Sequence, residues 1–468
     1  MMIGRLARLA SGALQGACTL LASALWFAPA AAQNPSDAAS QEAQAAITRS
    51  FVRLANGVPA VLYTPAALMA KSRIAVFAMH SNADYLEFSA CTELAARGYR
   101  VLCANNSLGK AGTFQEGQLD RIITEAKLGV EYLREQPGIE RVVLFGHSGG
   151  ATLMSAYQMI AEQGLAACRG PEKIHQCPDD LAGLPPADGM LLIDSNWGQA
   201  TMSLLSTDPA VTSEQTGYGL DPSLDLFNPA NGFDPEGSRY APEFVARFQE
   251  AQGQRVNRLI LEAQRRLGQI AEGSGRYSDD EPMTIPGASL LGFNNKLFPQ
   301  DTTLLSRTKG AWPLIRADGS ISKQVIQSVR APRNIVSRTE SMRGALATTV
   351  QGYLSTYAIR TTPDYAYGAE GVEGIDWDST YAATPANVAH ISVPLLAMGM
   401  TGGWEFLAAE LIHERAASSD KTLAFVEGAD HLYRPCTQCV APADEYGDTV
   451  RLTYDYIDAW LSRPGRFD

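Results

Sequence analysis

The sequence predicts an α/β protein with a mostly parallel central sheet, helices on both faces, and a large, mainly helical insertion. Three observations carry this. Apolar strand-like runs alternate with helix-period segments over residues 73–195, the alternation returns over 393–462, and between about 197 and 386 it stops. Strands alternating with amphipathic helices form parallel sheets covered on both faces. The expected organisation is therefore a sheet domain built from residues 51–196 and 387–468, with 197–386 inserted between its halves. A chain of 468 residues is long enough for that arrangement.

Taken in order, the first 32 residues read as a leader. Arg5 and Arg8 precede a mostly apolar run that ends in Ala30-Ala31-Ala32, the pattern of a secretory signal peptide cut after Ala32. The competing reading, an uncleaved anchor, fits an Ala- and Gly-rich stretch ending in a cleavage site less well. The mature chain is expected to be exported, periplasmic or extracellular, with no stable membrane anchor. A small polar stretch, "QNPSDAASQEAQAA", follows, and then "FVRLANGVPAVLYTP", where Asn56-Gly57 between apolar runs signals a hairpin.

"RIAVFAMH" (73–80) reads as a buried strand, "YLEFSACTELAARG" (85–98) as a helix closed by Gly98, and "YRVLCANN" (99–106) as the next strand. Leu119, Ile122, Ile123, Ala126, Val130 and Leu133 recur at helical spacing until Pro137-Gly138. "RVVLFGH" (141–147) is a strand, Ser148 to about Gln163 a helix, and "GMLLIDS" (189–195) a strand. After the insertion come a strand at 393–400, a helix at 407–418, a strand at 421–429 and an amphipathic helix at 448–462. Inside the insertion, Val245, Phe248, Val256, Leu259, Ile260, Ala263, Leu267 and Ile270 share one face of a long helix. A second helix is expected over about 338–360.

Charge excludes one class of partner. Without Arg5 and Arg8 the 38 basic residues fall to 36 against 50 acidic ones, and no basic cluster is interleaved with aromatics, so nucleic acid is not expected. Six of the seven cysteines follow the leader. In an oxidising compartment the close pairs Cys168/Cys177 and Cys436/Cys439 read as disulfides. Cys91 and Cys103 read as buried residues of a helix and a strand. "CTQC" could also be half of a zinc site, but only His431 lies near it, so neither a metal nor a cofactor is expected. The sequence leaves the oligomeric state open.

The chemistry centres on "RVVLFGHSGGATLM" (141–154). Gly-x-Ser-x-Gly between a strand and a helix is the pattern of a nucleophile elbow. The turn is so sharp that only small neighbours fit, hence Gly146 and Gly150. It lifts the Ser148 hydroxyl clear of the sheet and points the Gly149 N–H to where an oxyanion would form. Gly-rich strand–helix turns also bind phosphates, so the five residues alone are not decisive. Of the six histidines, His431 in "VEGADHLY" leaves the last strand, whereas His147 sits inside the elbow with its ring expected to face away from the reaction.

With strand, elbow and helix, an insertion, further βα units and a late Gly-x-x-His, residues 51–200 and 387–462 resemble the α/β-hydrolase family. The resemblance implies a serine hydrolase with Ser148 as nucleophile and His431 as general base. It also implies a second oxyanion donor in the loop after the third strand, often His-Gly-x in relatives. Here that loop reads His80-Ser81-Asn82, which puts the Asn82 backbone N–H in the donor role and departs from the pattern at Ser81. The acid is ambiguous. Where relatives most often carry aspartate, "MGMTGGWEF" has Gly402, with Glu405 three residues on and Glu410 in the following helix. A lipase branch carries the acid one strand earlier, and "GMLLIDSNWG" resembles it, so Asp194 is preferred over Glu405. Helical insertions in this family cap the serine, which implies a pocket for a small-molecule ester. The same machinery would serve an amide, lactone or peptide, and a ligand-binding protein without activity is the reading outside catalysis.

Overall fold

A computed structural model describes residues 47–107, 118–289, 296–332 and 344–467. The leader expected at 1–32 and part of the helix expected at 338–360 lie outside the described residues. The described elements begin with an antiparallel pair, β1 (Ile47–Arg53) and β2 (Pro59–Pro65). Asn56 and Gly57 at its turn have φ of 56° and 75°, the left-handed conformations that an Asn-Gly pair adopts most readily. There follow β3 (Ile74–Met79), α1 (Ser89–Ala96), β4 (Arg100–Ala104), α2 (Leu119–Glu135), β5 (Arg141–His147), α3 (Gly149–Gln163) and β6 (Gly189–Ile193). The expected alternation is present throughout this half.

The region 197–386 holds α4 (Gln199–Ser206), the 30-residue α5 (Pro242–Ala271), and strands β7 (Pro282–Ile285), β8 (Arg307–Ile315), β9 (Ile321–Gln327), β10 (Leu346–Thr349), β11 (Arg360–Gly368) and β12 (Gly371–Asp376). The chain then completes β13 (Leu395–Met400), α6 (Phe406–Arg415), β14 (Lys421–Val426) and α7 (Thr449–Leu461).

Ten strands form one sheet in the order β1-β2-β4-β3-β5-β6-β13-β14-β8-β9. Every pairing from β4 to β8 is parallel, and both ends are closed by antiparallel strands. The strands between are apolar on both faces: all six residues of β3 and of β13 are buried. α1 and α7 cover one face; α2, α3, α6 and much of the insertion cover the other. Each layer removes a continuous apolar surface from water, worth ~25 cal/mol per Å².

Two expectations need correction. The insertion carries six strands beside its helices, and it does not stand apart from the sheet. β8 runs parallel to β14, with Leu314 opposite Phe425 and Ile315 opposite Val426, and β9 returns antiparallel to close that edge. The turn between them is Asp-Gly, with Gly319 at φ 83° and the Asp318 carboxylate accepting the Ser320 N–H at 2.9 Å. Within 338–360, residues 346–349 are a strand paired with β7, and the helical part of that range follows it, at Val350–Gly352 and Tyr353–Tyr357.

Candidate active site

β5 ends at His147, and α3 begins one residue after Ser148. The serine takes φ 54° and ψ −129°, a conformation that costs an L-residue of the order of 1–3 kcal/mol. Its neighbours leave no room for side chains. A Cβ on Gly146 would lie 2.5 Å from the Ala151 Cα, and one on Gly150 would lie 2.8 Å from the Met79 carbonyl oxygen. The strained turn is therefore clamped between the end of β3 and the first turn of α3. The N-terminal end of the 15-residue α3 carries partial positive charge, and Gly149 stands there.

The His431 loop is held from two sides. The Asp430 carboxylate accepts the N–H groups of Leu432 and Arg434 at 2.8 and 2.9 Å, so it serves the turn rather than the imidazole. The His147 Nε2–H donates to the His431 carbonyl oxygen at 2.6 Å. That fixes the His147 tautomer, and its Nδ1 accepts from the Tyr85 hydroxyl. Burial keeps this ring well below the usual histidine pKa, hence neutral. His147 ties the elbow to the His431 loop.

Of the three carboxylates considered as the acid, Asp194 is the one hydrogen-bonded to His431. Its Oδ2 lies 2.6 Å from His431 Nδ1 and its Oδ1 accepts the Met400 N–H at 2.8 Å. It stands at the end of β6, 1% exposed, with φ 44°. Burial raises the Asp194 pKa to about 6 against the lowering effect of His431. Burial alone would lower His431, but the hydrogen bond and charge of Asp194 outweigh it and raise His431 to about 9. Glu405 also lines the cavity, yet its carboxylate accepts the Trp404 N–H at 3.1 Å and makes no hydrogen bond to His431 among the described residues. Glu410 faces elsewhere. It accepts from the N–H groups of Lys309 and Gly310 and from the Trp312 indole at 2.9, 2.8 and 2.6 Å, pinning β8 to α6.

At Gly402, after β13, there is no room for a side chain. A Cβ there would lie 2.5 Å from the Ala429 carbonyl oxygen and 3.1 Å from the Cys436 Cβ. The disulfide loop of Cys436 and Cys439 occupies the space an acidic side chain would need.

The loop after β3 corrects the expected role of Asn82. Its backbone N–H is directed at His80 Nδ1, 3.0 Å away, and the Ala83 N–H at the same atom, 2.9 Å away. The ring folds back onto its own loop and takes the N–H that was to face an oxyanion. An Nδ1 that accepts two N–H groups leaves the ring's own N–H on Nε2.

Ser148, Gly149, His431, Ser81 and Asn82 border one cavity of about 900 Å³, within the range of small-molecule sites. Its walls are largely aromatic and aliphatic, with Phe88, Met202 and Trp404 prominent. The insertion contributes Gln199, Met202 and Lys296. Sequence reasoning missed Gln199 and Lys296. Lys296 is 1% exposed, and burial lowers its ammonium to about 7 against the raising effect of Glu405. Neither carries a local motif; only the folded cavity singles them out. Among the described residues no cluster of His, Cys, Asp and Glu could hold a metal ion. Cys168–Cys177 and Cys436–Cys439 are paired, and Cys91–Cys103, read from sequence as buried residues, form a third disulfide between α1 and β4.

A mostly parallel sheet carrying a strand–serine–helix elbow at its carboxyl edge, with serine, aspartate and histidine in that chain order, defines the α/β-hydrolase fold. The chain has this fold. No family model matches it, and no curated protein does. Among solved structures it is similar to a hypothetical protein from Pseudomonas aeruginosa, with 13% identity, 89% of this chain and 94% of that chain covered, and a TM-score of 0.40. A hormone-sensitive lipase from a metagenome library is similar at 10% identity, 94% coverage of each chain and a TM-score of 0.40. A siderophore hydrolase from Aspergillus fumigatus is similar at 10% identity, with 89% and 98% covered and a TM-score of 0.38.

Proposed function

We propose that this chain is an exported serine hydrolase that cleaves a carboxylic ester of a small molecule through an acyl-enzyme on Ser148. The observation that carries the reading is the 2.6 Å hydrogen bond between His431 and a buried carboxylate, in a cavity that Ser148 also lines. Ser148 Oγ attacks the ester carbonyl carbon, and its proton passes to His431 Nε2. The carbonyl oxygen becomes an oxyanion at the N-terminus of α3, beside the Gly149 N–H. Collapse breaks the bond to the alkoxy oxygen, which leaves as the alcohol with the proton from His431. Water then repeats the sequence on the acyl-enzyme, releasing the acid and restoring Ser148. Throughout, Asp194 holds the imidazole with Nδ1 protonated and stabilises the imidazolium.

Export is supported by the leader pattern and by three disulfides, which persist in oxidising compartments. The test is a panel of p-nitrophenyl esters of graded acyl length beside matched amides and lactones, run on the mature chain and on Ser148→Ala. Ester turnover lost in the variant is expected. Turnover of amides or lactones alone would change the substrate class, and equal turnover in Ser148→Ala would remove the serine from the mechanism.

A further inference from the structure

Relatives often have glycine after the loop histidine; here it is Ser81, and the backbone N–H of the next residue is spent on His80. Ser81 is 2% exposed, and its Oγ lies 2.9 Å from where a Cβ on Gly149 would stand, directly beside the elbow. Gln199, at the start of α4 in the insertion, donates through Nε2 to Ser81 Oγ at 3.0 Å and to Asn82 Oδ1 at 3.1 Å. Ser81 Oγ therefore serves as an acceptor toward the insertion. Its own hydroxyl hydrogen has no acceptor among the described residues. A buried hydroxyl with an unused donor is costly, by ~1–3 kcal/mol, unless a ligand takes it.

We infer that the Ser81 hydroxyl is an oxyanion donor that works together with the Gly149 N–H, and that Gln199 is the positioning residue that orients it. This rests on the serine-hydrolase reading above. The developing oxyanion supplies the missing acceptor, so the interaction is made in the transition state rather than in the ground state. It also gives the insertion a task beyond forming a wall: through Gln199 it fixes a donor of the catalytic centre.

The test compares wild type, Ser81→Ala, Gln199→Met and the double variant on p-nitrophenyl acetate, with thermal unfolding of each. Phenylboronic acid, which forms a tetrahedral adduct with an active-site serine, serves as the inhibitor. Ser81→Ala is expected to lower kcat by roughly 10²–10³-fold with KM within about threefold, and to weaken phenylboronic acid in proportion. Gln199→Met is expected to lower kcat by about tenfold, and to add no loss in the Ser81→Ala background. An unchanged kcat in Ser81→Ala, or a raised KM alone, overturns the assignment. A full additive loss in the double variant overturns the role given to Gln199. If wild type is active and Ser81→Ala keeps its kcat, only the Ser81 assignment falls; if wild type hydrolyses no ester and binds no boronic acid, both readings fall together.

Discussion

At His431 two effects oppose each other. Burial disfavours the imidazolium, and the Asp194 carboxylate favours it by more, so the pKa rises from 6.5 to about 9. A general base works only when neutral, so activity is lost below that pKa and gained above it. The acid limb of kcat/KM against pH is therefore expected on the alkaline side of 6.5, and in Asp194→Asn it should move below that of wild type. A wild-type limb at or below 6.5 would contradict the pairing. The same variant should lose roughly 10³–10⁴-fold in kcat, because an amide holds the wrong tautomer. Glu405→Gln is expected to stay within about tenfold of wild type, since its carboxylate is bonded to the Trp404 N–H rather than to the base. A larger loss in Glu405→Gln than in Asp194→Asn would move the acid to Glu405.

Among the elements, two contacts shape the space after β13 and the way the sheet is extended. Gly402→Ala would press a methyl against the Ala429 carbonyl and the Cys436 side chain, and is expected to destabilise by about 2 kcal/mol or more in urea unfolding. Glu410→Gln should cost about 1–3 kcal/mol by loosening β8 from α6, with kcat unchanged. Loss of ester turnover without loss of stability would instead place Glu410 in the chemistry. The sheet and the elbow were legible in the sequence because burial on both faces writes continuous apolar runs, and because the sharp turn tolerates glycine alone at 146 and 150. Asp194 was legible as the end of such a run. The β8–β9 hairpin carried an Asp-Gly signal that the long amphipathic helix overshadowed. The turn of His80 onto the Asn82 N–H, the space filled behind Gly402 and the placing of Gln199 and Lys296 depend on contacts between distant segments, which no local pattern encodes.

On the scale of the whole molecule, all six cysteines among the described residues are paired, over separations of 12, 9 and 3 residues. Each bond is worth ~2–4 kcal/mol, more for the longer loops. Reductant is therefore expected to lower the unfolding temperature of the mature chain. On the proposed export, mass spectrometry of the mature protein should find Gln33 at its N-terminus and six fewer hydrogens than the fully reduced mass. Free thiols in the native exported chain would contradict this. The insertion, through β8 and Gln199, is part of the sheet and of the cavity wall together, so it should not be removable as a separate lid. In the proposed mechanism Ser148 is a nucleophile served by His431. Labelling the native mature chain with a fluorophosphonate probe, followed by intact mass and peptide mapping, tests it most directly. One adduct on the peptide containing Ser148, absent in Ser148→Ala and much slowed in His431→Ala, is the predicted result; a natively folded wild type that stays unmodified, or carries its adduct on another residue, would contradict the account.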